Sequence, residues 1–194
     1  LRVKKCFIDS YGEIPPMIGF LAIDTDTAAF NKEVTSNLNK KIKLEPHELL
    51  VVSVRGALAT YRNNPRDYDW VPEKNIDKLS SIAGAGAGAV RSNGRFIAYY
   101  NYARIENNIQ SVITKINQHI PQESKYTVDT NKDGIEYPVT INVFSSVAGG
   151  TGSGMLVDTL CLVNKAMDAL ALQFDLYPWI VLPEIFKALN SGPA

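Results

Sequence analysis

Apolar and polar positions change period several times along the chain, and each change marks an element. Residues 1–10 set Arg2, Lys4, Lys5 and Asp9 among apolar positions, an amphipathic helix that ends at Tyr11-Gly12 with Pro15-Pro16 beyond. Residues 17–23 are mostly apolar and stop at Asp24-Thr25-Asp26, the pattern of a buried strand closed by a turn. Residues 28–38 suggest a short helix, and residues 49–54 a second strand. Residues 62–69 are polar, contain Pro65 and read as a loop. A long helix is predicted where Ile105, Ile109, Val112, Ile113 and Ile116 recur at steps of three and four, ending at Ile120-Pro121. Residues 139–148 form a strand rich in β-branched residues. Residues 155–172 are apolar on almost every side and predict a buried helix. Residues 174–182 are a last strand, closed by Pro183. Strands that alternate with helices predict an α/β layered fold with a mostly parallel sheet.

Two glycine-rich segments interrupt this alternation. Gly149-Gly150-Thr151-Gly152-Ser153-Gly154 lies between the strand at 139–148 and the helix at 155–172. Ligands of open α/β sheets bind at the carboxyl ends of strands, against helix starts whose free N–H groups and partial positive charge suit phosphate. Glycines let the backbone approach an anion closely, and Thr151 and Ser153 add hydroxyl donors. No Lys follows these glycines as a Walker A loop requires, and counting from Gly150 the Rossmann fingerprint fails at Met155. The run Gly84-Ala85-Gly86-Ala87-Gly88-Ala89 formally fits that fingerprint, but polar residues 74–81 precede it where a buried strand is required. Arg91 and Arg95 follow in the first turns of the next helix, where positive charge opposes the helix dipole by a few tenths to ~1 kcal/mol each. A bound anion, or carboxylates paired with these arginines, would offset that. Asp24 and Asp26, just after a strand, suit a ribose or a magnesium-bound water, or else an Asx turn with a helix cap.

Other chemistry is weaker. Asp129-Thr130-Asn131-Lys132-Asp133-Gly134 imitates the start of a calcium loop, but Thr140 stands where the twelfth-position Glu belongs, so a polar hairpin turn is expected. Cys6 and Cys161 sit in apolar, helix-like stretches and are expected to be buried free thiols. His47 belongs to a polar surface turn and His119 to a helix end, and no metal site is expected.

Twenty Lys plus Arg balance twenty Asp plus Glu, which leaves no electrostatic footprint for bulk nucleic-acid binding. The apolar fraction of 45% is too high for a disordered chain, and no apolar run is long enough to span a membrane. The default location is the cytoplasm.

Taken in order, the three loops resemble the nucleotide site of the tubulin/FtsZ superfamily. Its signature GGTG-small-G is matched in full by Gly149-Gly150-Thr151-Gly152-Ser153-Gly154. Its cell-division members carry GAGANPxxG upstream. Here Gly86-Ala87-Gly88-Ala89 matches, Val90-Arg91 replaces the Asn-Pro, and Gly94 falls on the last glycine. Ile23-Asp24-Thr25-Asp26 is similar to the family's strand ending in Asn-Thr-Asp. The match looks closest to a divergent bacterial branch of tubulin-like proteins, and it covers residues 17 to about 184.

The resemblance implies a Rossmann-like three-layer sandwich and a ligand that is GTP or GDP, with Mg²⁺. It places Gly149, Gly150, Thr151, Gly152 and Ser153 on the phosphates. Gly86, Ala87, Gly88 and Ala89 fall on the γ-phosphate, and Asp24 and Asp26 near the phosphate–ribose side. Arg91 departs from the family pattern and is expected to contact the terminal phosphate, or else to pair with a neighbouring acid. Residues 1–194 then read as part of a GTPase domain, with the first phosphate loop upstream of Leu1 and the hydrolysis-activating loop beyond Ala194. The full protein would assemble into filaments. Two alternatives stand beside this reading: an adaptor that keeps the fold without turnover, and a different nucleotide enzyme such as an ATPase.

Overall fold

The computed structural model describes residues 1–26, 28, 31–52, 57–75, 87, 90–119 and 139–184. The first helix, α1 (Arg2–Tyr11), stops where Gly12 takes the left-handed conformation at φ 77° and its N–H caps the Ile8 carbonyl at 2.9 Å. Its buried side chain is Lys4, whose Nζ donates to Glu48 Oε2 at 2.6 Å. Glu48 closes a 3-10 turn (Pro46–Glu48), and the same oxygen accepts the Glu45 N–H at 2.7 Å. His47 in that turn is exposed, as expected. The ion pair therefore pins α1 onto the lead-in to a strand.

That strand, β4 (Leu49–Val51), runs parallel to β1 (Ala22–Asp24), with Ile23 opposite Leu50. The apolar run from residue 17 is strand only at its end. Pro15 starts a turn in which its carbonyl accepts the Ile18 N–H. Gly19 then packs so closely under the later long helix that a Cβ there would lie 2.7 Å from Val112 Cγ1. Residues 53 and 54 lie outside the described part.

Of the helix expected over 28–38, only Ala28 and Asn31 are helical among the described residues, both as 3-10 positions. Two short strands, β2 (Val34–Thr35) and β3 (Lys41–Ile42), make an antiparallel hairpin instead. The β-branched pair favours strand, Asn39 takes a left-handed φ of 57°, and Ser36 Oγ accepts the Lys40 N–H at 2.8 Å. Asp9 accepts the Asn37 N–H at 2.7 Å, and Lys40 Nζ reaches the Gly12 carbonyl at 2.7 Å, so the hairpin is tied to the end of α1.

The polar stretch expected as a loop is partly helical: α2 (Ala57–Asn63) enters it and a 3-10 turn (Pro65–Tyr68) follows. Tyr68 is buried edge-on against Phe96, with ring centroids 5.1 Å apart. Phe96 belongs to α3 (Arg91–Tyr100), which breaks at Asn101 before α4 (Tyr102–His119). Ile105, Ile109 and Ile113 are the buried stripe of α4, as their spacing predicts.

The longest strands, β5 (Val139–Ser146) and β6 (Phe174–Val181), pair in parallel from Val139 opposite Phe174 to Ser146 opposite Val181. The helix α5 (Gly150–Ala169) is the crossover between them. One apolar cluster joins β4, α3, α4 and α5 through Leu50, Phe96, Ile97, Ile105, Met155, Leu162 and Met167. The described strands thus form two parallel pairs and one antiparallel hairpin, compatible with an α/β fold.

Two burial expectations change, for α5 and for the cysteines. α5 is buried on one face only: Met155, Leu162, Val163, Ala166 and Met167 point inward while Val157 is 68% exposed. The sheet strand pair is likewise one-sided, with Phe144 and Trp179 exposed and stacked 5.9 Å apart on its outer face. Cys6 and Cys161 are free but exposed. Each lies on a helix whose partners occupy another face: Cys6 is two residues, about 200°, from buried Lys4, and Cys161 precedes the inward Leu162-Val163 pair.

Candidate functional site at two helix starts

At the carboxyl end of β5, Ser146 Oγ accepts the Ala148 N–H at 3.2 Å and turns the chain into Gly149. Gly149 is the N-cap of α5 at φ −98°, ψ 162°, without a side-chain capping bond. What the sequence suggested as a glycine loop is therefore the first turns of a helix from Gly150 onward. Helix geometry leaves the N–H groups of Gly150, Thr151 and Gly152 without intrahelical acceptors. Ser153 is engaged locally: its N–H and its hydroxyl both donate to the Gly149 carbonyl. None of the segment's glycines has a positive φ, so space rather than backbone conformation demands them. A Cβ on Gly154 would lie 2.5 Å from Arg95 N and 2.8 Å from Gly94 C. A Cβ on Gly152 would lie 2.8 Å from the Ser146 carbonyl oxygen, whereas one on Gly149 would meet nothing within 4 Å.

Those contacts bring in α3. Gly154 packs on Arg91 and Arg95, Arg95 pairs with Asp158 at 3.5 Å, and Lys165 pairs with Glu106 at 2.9 Å one helix further on. These contacts cross the first turns of both helices, so the starts of α3 and α5 lie side by side. Both starts lack a capping side chain and any acidic residue in the first turn. Two positive dipole ends are thus adjacent, and Arg91 adds a cation at the first position of α3. Arg91 is exposed and forms no ion pair among the described residues; the arginine that pairs with an acid is Arg95, which also lies over the Trp70 ring at 5.0 Å. Helix starts and a cation so placed suit an anion.

The aspartates come to the same place. Asp24 Oδ1 accepts the N–H groups of Thr25 (2.6 Å) and Asp26 (3.2 Å), and Asp26 Oδ1 accepts the Ala28 N–H at 2.9 Å. The segment is an Asx turn that leaves the second oxygen of each carboxylate outside those bonds. Thr25 Oγ1 lies 2.8 Å from Thr151 Oγ1 and joins this turn to the start of α5. Ala87 is buried in the core, while Gly86, Gly88 and Ala89 lie outside the described residues, as does the polar turn at 129–134.

Two residues of this region were not among the sequence candidates. Thr25 was legible only as the middle of Asp-Thr-Asp, and Gly94 only as a motif glycine. Among the described residues no group of three or more His, Cys, Asp or Glu side chains could hold a metal ion. Surface clefts elsewhere, one of about 460 Å³ along Tyr99, Tyr100 and Tyr102 and one of about 270 Å³ along Val3, Phe7 and Tyr11, are lined by no cationic side chain. They do not compete with the helix starts for an anion.

The family model described as "Tubulin like" matches residues 2–193. The chain belongs to the tubulin-like family. The match takes in every described element of the tubulin-like chain, including α1 and the hairpin that lie outside or between the motif segments. No curated protein and no solved structure matches the chain. Among the described residues of the tubulin-like chain, no helix is long and apolar enough to cross a membrane.

Proposed function

We propose that this tubulin-like chain is part of a GTP-binding domain. Its strand pairs and helices would belong to a Rossmann-like three-layer sandwich. The bound ligand is GTP or GDP with Mg²⁺, and the full protein hydrolyses GTP and self-associates into filaments in the cytoplasm. The observation that carries the reading is the pair of adjacent, uncapped helix starts at the glycine segment. Gly149, Gly150, Thr151, Gly152 and Ser153 fit a phosphate group. The N–H groups of residues 150–152 are oriented donors, Ser153 closes the turn, and Gly149 leaves open space where a Cβ would stand. Asp24 and Asp26 each keep a carboxylate oxygen for a water of Mg²⁺, which prefers such partial carboxylate ligation beside phosphate. Gly86, Ala87, Gly88 and Ala89 would complete the γ-phosphate side.

The energies explain why several parts are needed. Charge-assisted hydrogen bonds contribute roughly 1.5–3 kcal/mol each, and micromolar affinity needs about 8 kcal/mol beyond the cost of association. Three N–H groups alone fall short of that, so Arg91 and the second helix start must contribute.

Titration of a fluorescent GTP analogue, with GTP, GDP and ATP as competitors, tests the reading. GTP and GDP displace the probe and ATP does so far less well. Absence of binding at millimolar GTP refutes the reading, preference for ATP moves the chain to another class of nucleotide protein, and binding by the full protein without phosphate release marks a non-hydrolysing adaptor.

A further inference from the structure

The bond between Thr25 and Thr151 joins residues 126 positions apart and is made by two hydroxyls, either of which can donate. Each hydroxyl carries one proton, so the bond consumes one and leaves one. If Thr151 donates, its proton points away from the start of α5. If Thr25 donates, the Thr151 proton is left for an acceptor at that helix start. Thr25 is well held for this task. Its N–H is bonded to Asp24 Oδ1 at 2.6 Å, and its β-branched side chain has a stiff first torsion. Thr151 sits in the open first turn of α5, where threonine divides between two rotamers, so a fixed partner decides its direction.

We propose that Thr25 is a positioning residue: it donates to Thr151 Oγ1 and thereby directs the Thr151 hydroxyl proton to a phosphate oxygen at the start of α5. The assignment rests on the nucleotide reading above and adds a polarity to its site. It also links the Asp24–Asp26 turn to phosphate occupancy, because the same residue is held by the turn and bonded to the helix.

The test uses the full chain with Thr25→Val, Thr25→Ser, Thr151→Val and the Thr25→Val/Thr151→Val pair, titrated with GTP and, in competition, with guanosine, alongside thermal melts. Thr25→Val should weaken GTP about three- to tenfold and leave guanosine within about twofold, and Thr25→Ser should restore GTP binding. The double variant should bind GTP no worse than Thr151→Val, because Thr25 acts through Thr151. Unchanged GTP affinity in Thr25→Val overturns the assignment, as does an equal loss for guanosine, which would mark a merely structural tie. If the unsubstituted chain takes up no GTP, the nucleotide reading falls and this assignment with it; if it binds GTP and Thr25→Val binds equally well, only the assignment falls.

Discussion

Gly94→Ala offers the sharpest test of why the two helix starts lie together. A Cβ on Gly94 would stand 2.9 Å from the carbonyl carbon of Gly150 and closer still to its oxygen. Ordinary contact begins near 3.4 Å, and the atoms met are backbone, which cannot rotate aside. The helices α3 and α5 must then separate by about 1 Å, a gap that forfeits a quarter to a half of each dispersion contact along the seam. Overpacking of this kind costs about 1–3 kcal/mol, and the better helix propensity of Ala returns about 1 kcal/mol of it. Because the clash is with backbone, we expect the upper part of the range and a net loss near 2 kcal/mol. For a chain of this length that is a melting-temperature drop of roughly 4–8 °C. Gly149→Ala is the control. Its Cβ would meet nothing within 4 Å and its backbone is extended, so it should lose only about 0.5 kcal/mol as a poorer N-cap. Thermal and urea denaturation measure both. A Gly94→Ala chain as stable as the parent, or a larger loss in Gly149→Ala, would refute the argument that close approach of backbones places these glycines.

Three further outcomes follow from named contacts. Lys4→Met leaves Glu48 buried without its partner and should destabilise by about 3–5 kcal/mol in urea, whereas Lys4→Met with Glu48→Met should recover most of the loss; an equally unstable double variant contradicts this. The hydrogen bond from Lys5, with help from the Asn37 N–H, holds the Asp9 carboxyl below its ordinary value against a smaller opposing effect of burial. A depressed folded-state pKa contributes stability above the unfolded value that is lost as pH falls through the folded one, so the stability gap between the parent and Asp9→Asn should be constant above about pH 5 and close below about pH 4. A gap that does not narrow as pH falls below about 4 contradicts the assignment. Arg91→Ala should weaken GTP about three- to tenfold with an unchanged melting temperature, while Arg95→Ala, which loses Asp158 and Trp70, should lower the melting temperature; the reverse pattern would exchange their roles.

Much of the candidate site was legible because its parts lie next to one another in the chain. A strand, a run of glycines and an apolar helix are all contiguous in sequence, and the signature from Gly149 to Gly154 falls where β5 ends and α5 begins. The helix over residues 102–119 was equally legible, because burial of Ile105, Ile109 and Ile113 needs only a period. The hairpin at Val34–Thr35 and Lys41–Ile42 was not, because a two-residue strand carries no period, and its shape depends on hydrogen bonds to Asp9 and Gly12 far back in the chain. Burial of the cysteines was misread for a related reason. Apolar neighbours show that a helix is amphipathic, but which face meets a partner is settled by the partner.

The sequence by itself determined the alternation of strands and helices, the placement of glycine at a helix start and the family. Tertiary structure alone decided what those glycines are for. Gly94 and Gly154 are bare because the backbones of α3 and α5 touch there, and this contact sets two positive helix ends side by side. It also decided that Thr25 and Thr151 meet, and that among the described residues Arg95 rather than Arg91 pairs with an acid. The physical reason is range. Propensity and periodicity act over a few residues, whereas steric exclusion and hydrogen bonding act between whatever the fold brings within a few ångströms, here across 126 positions.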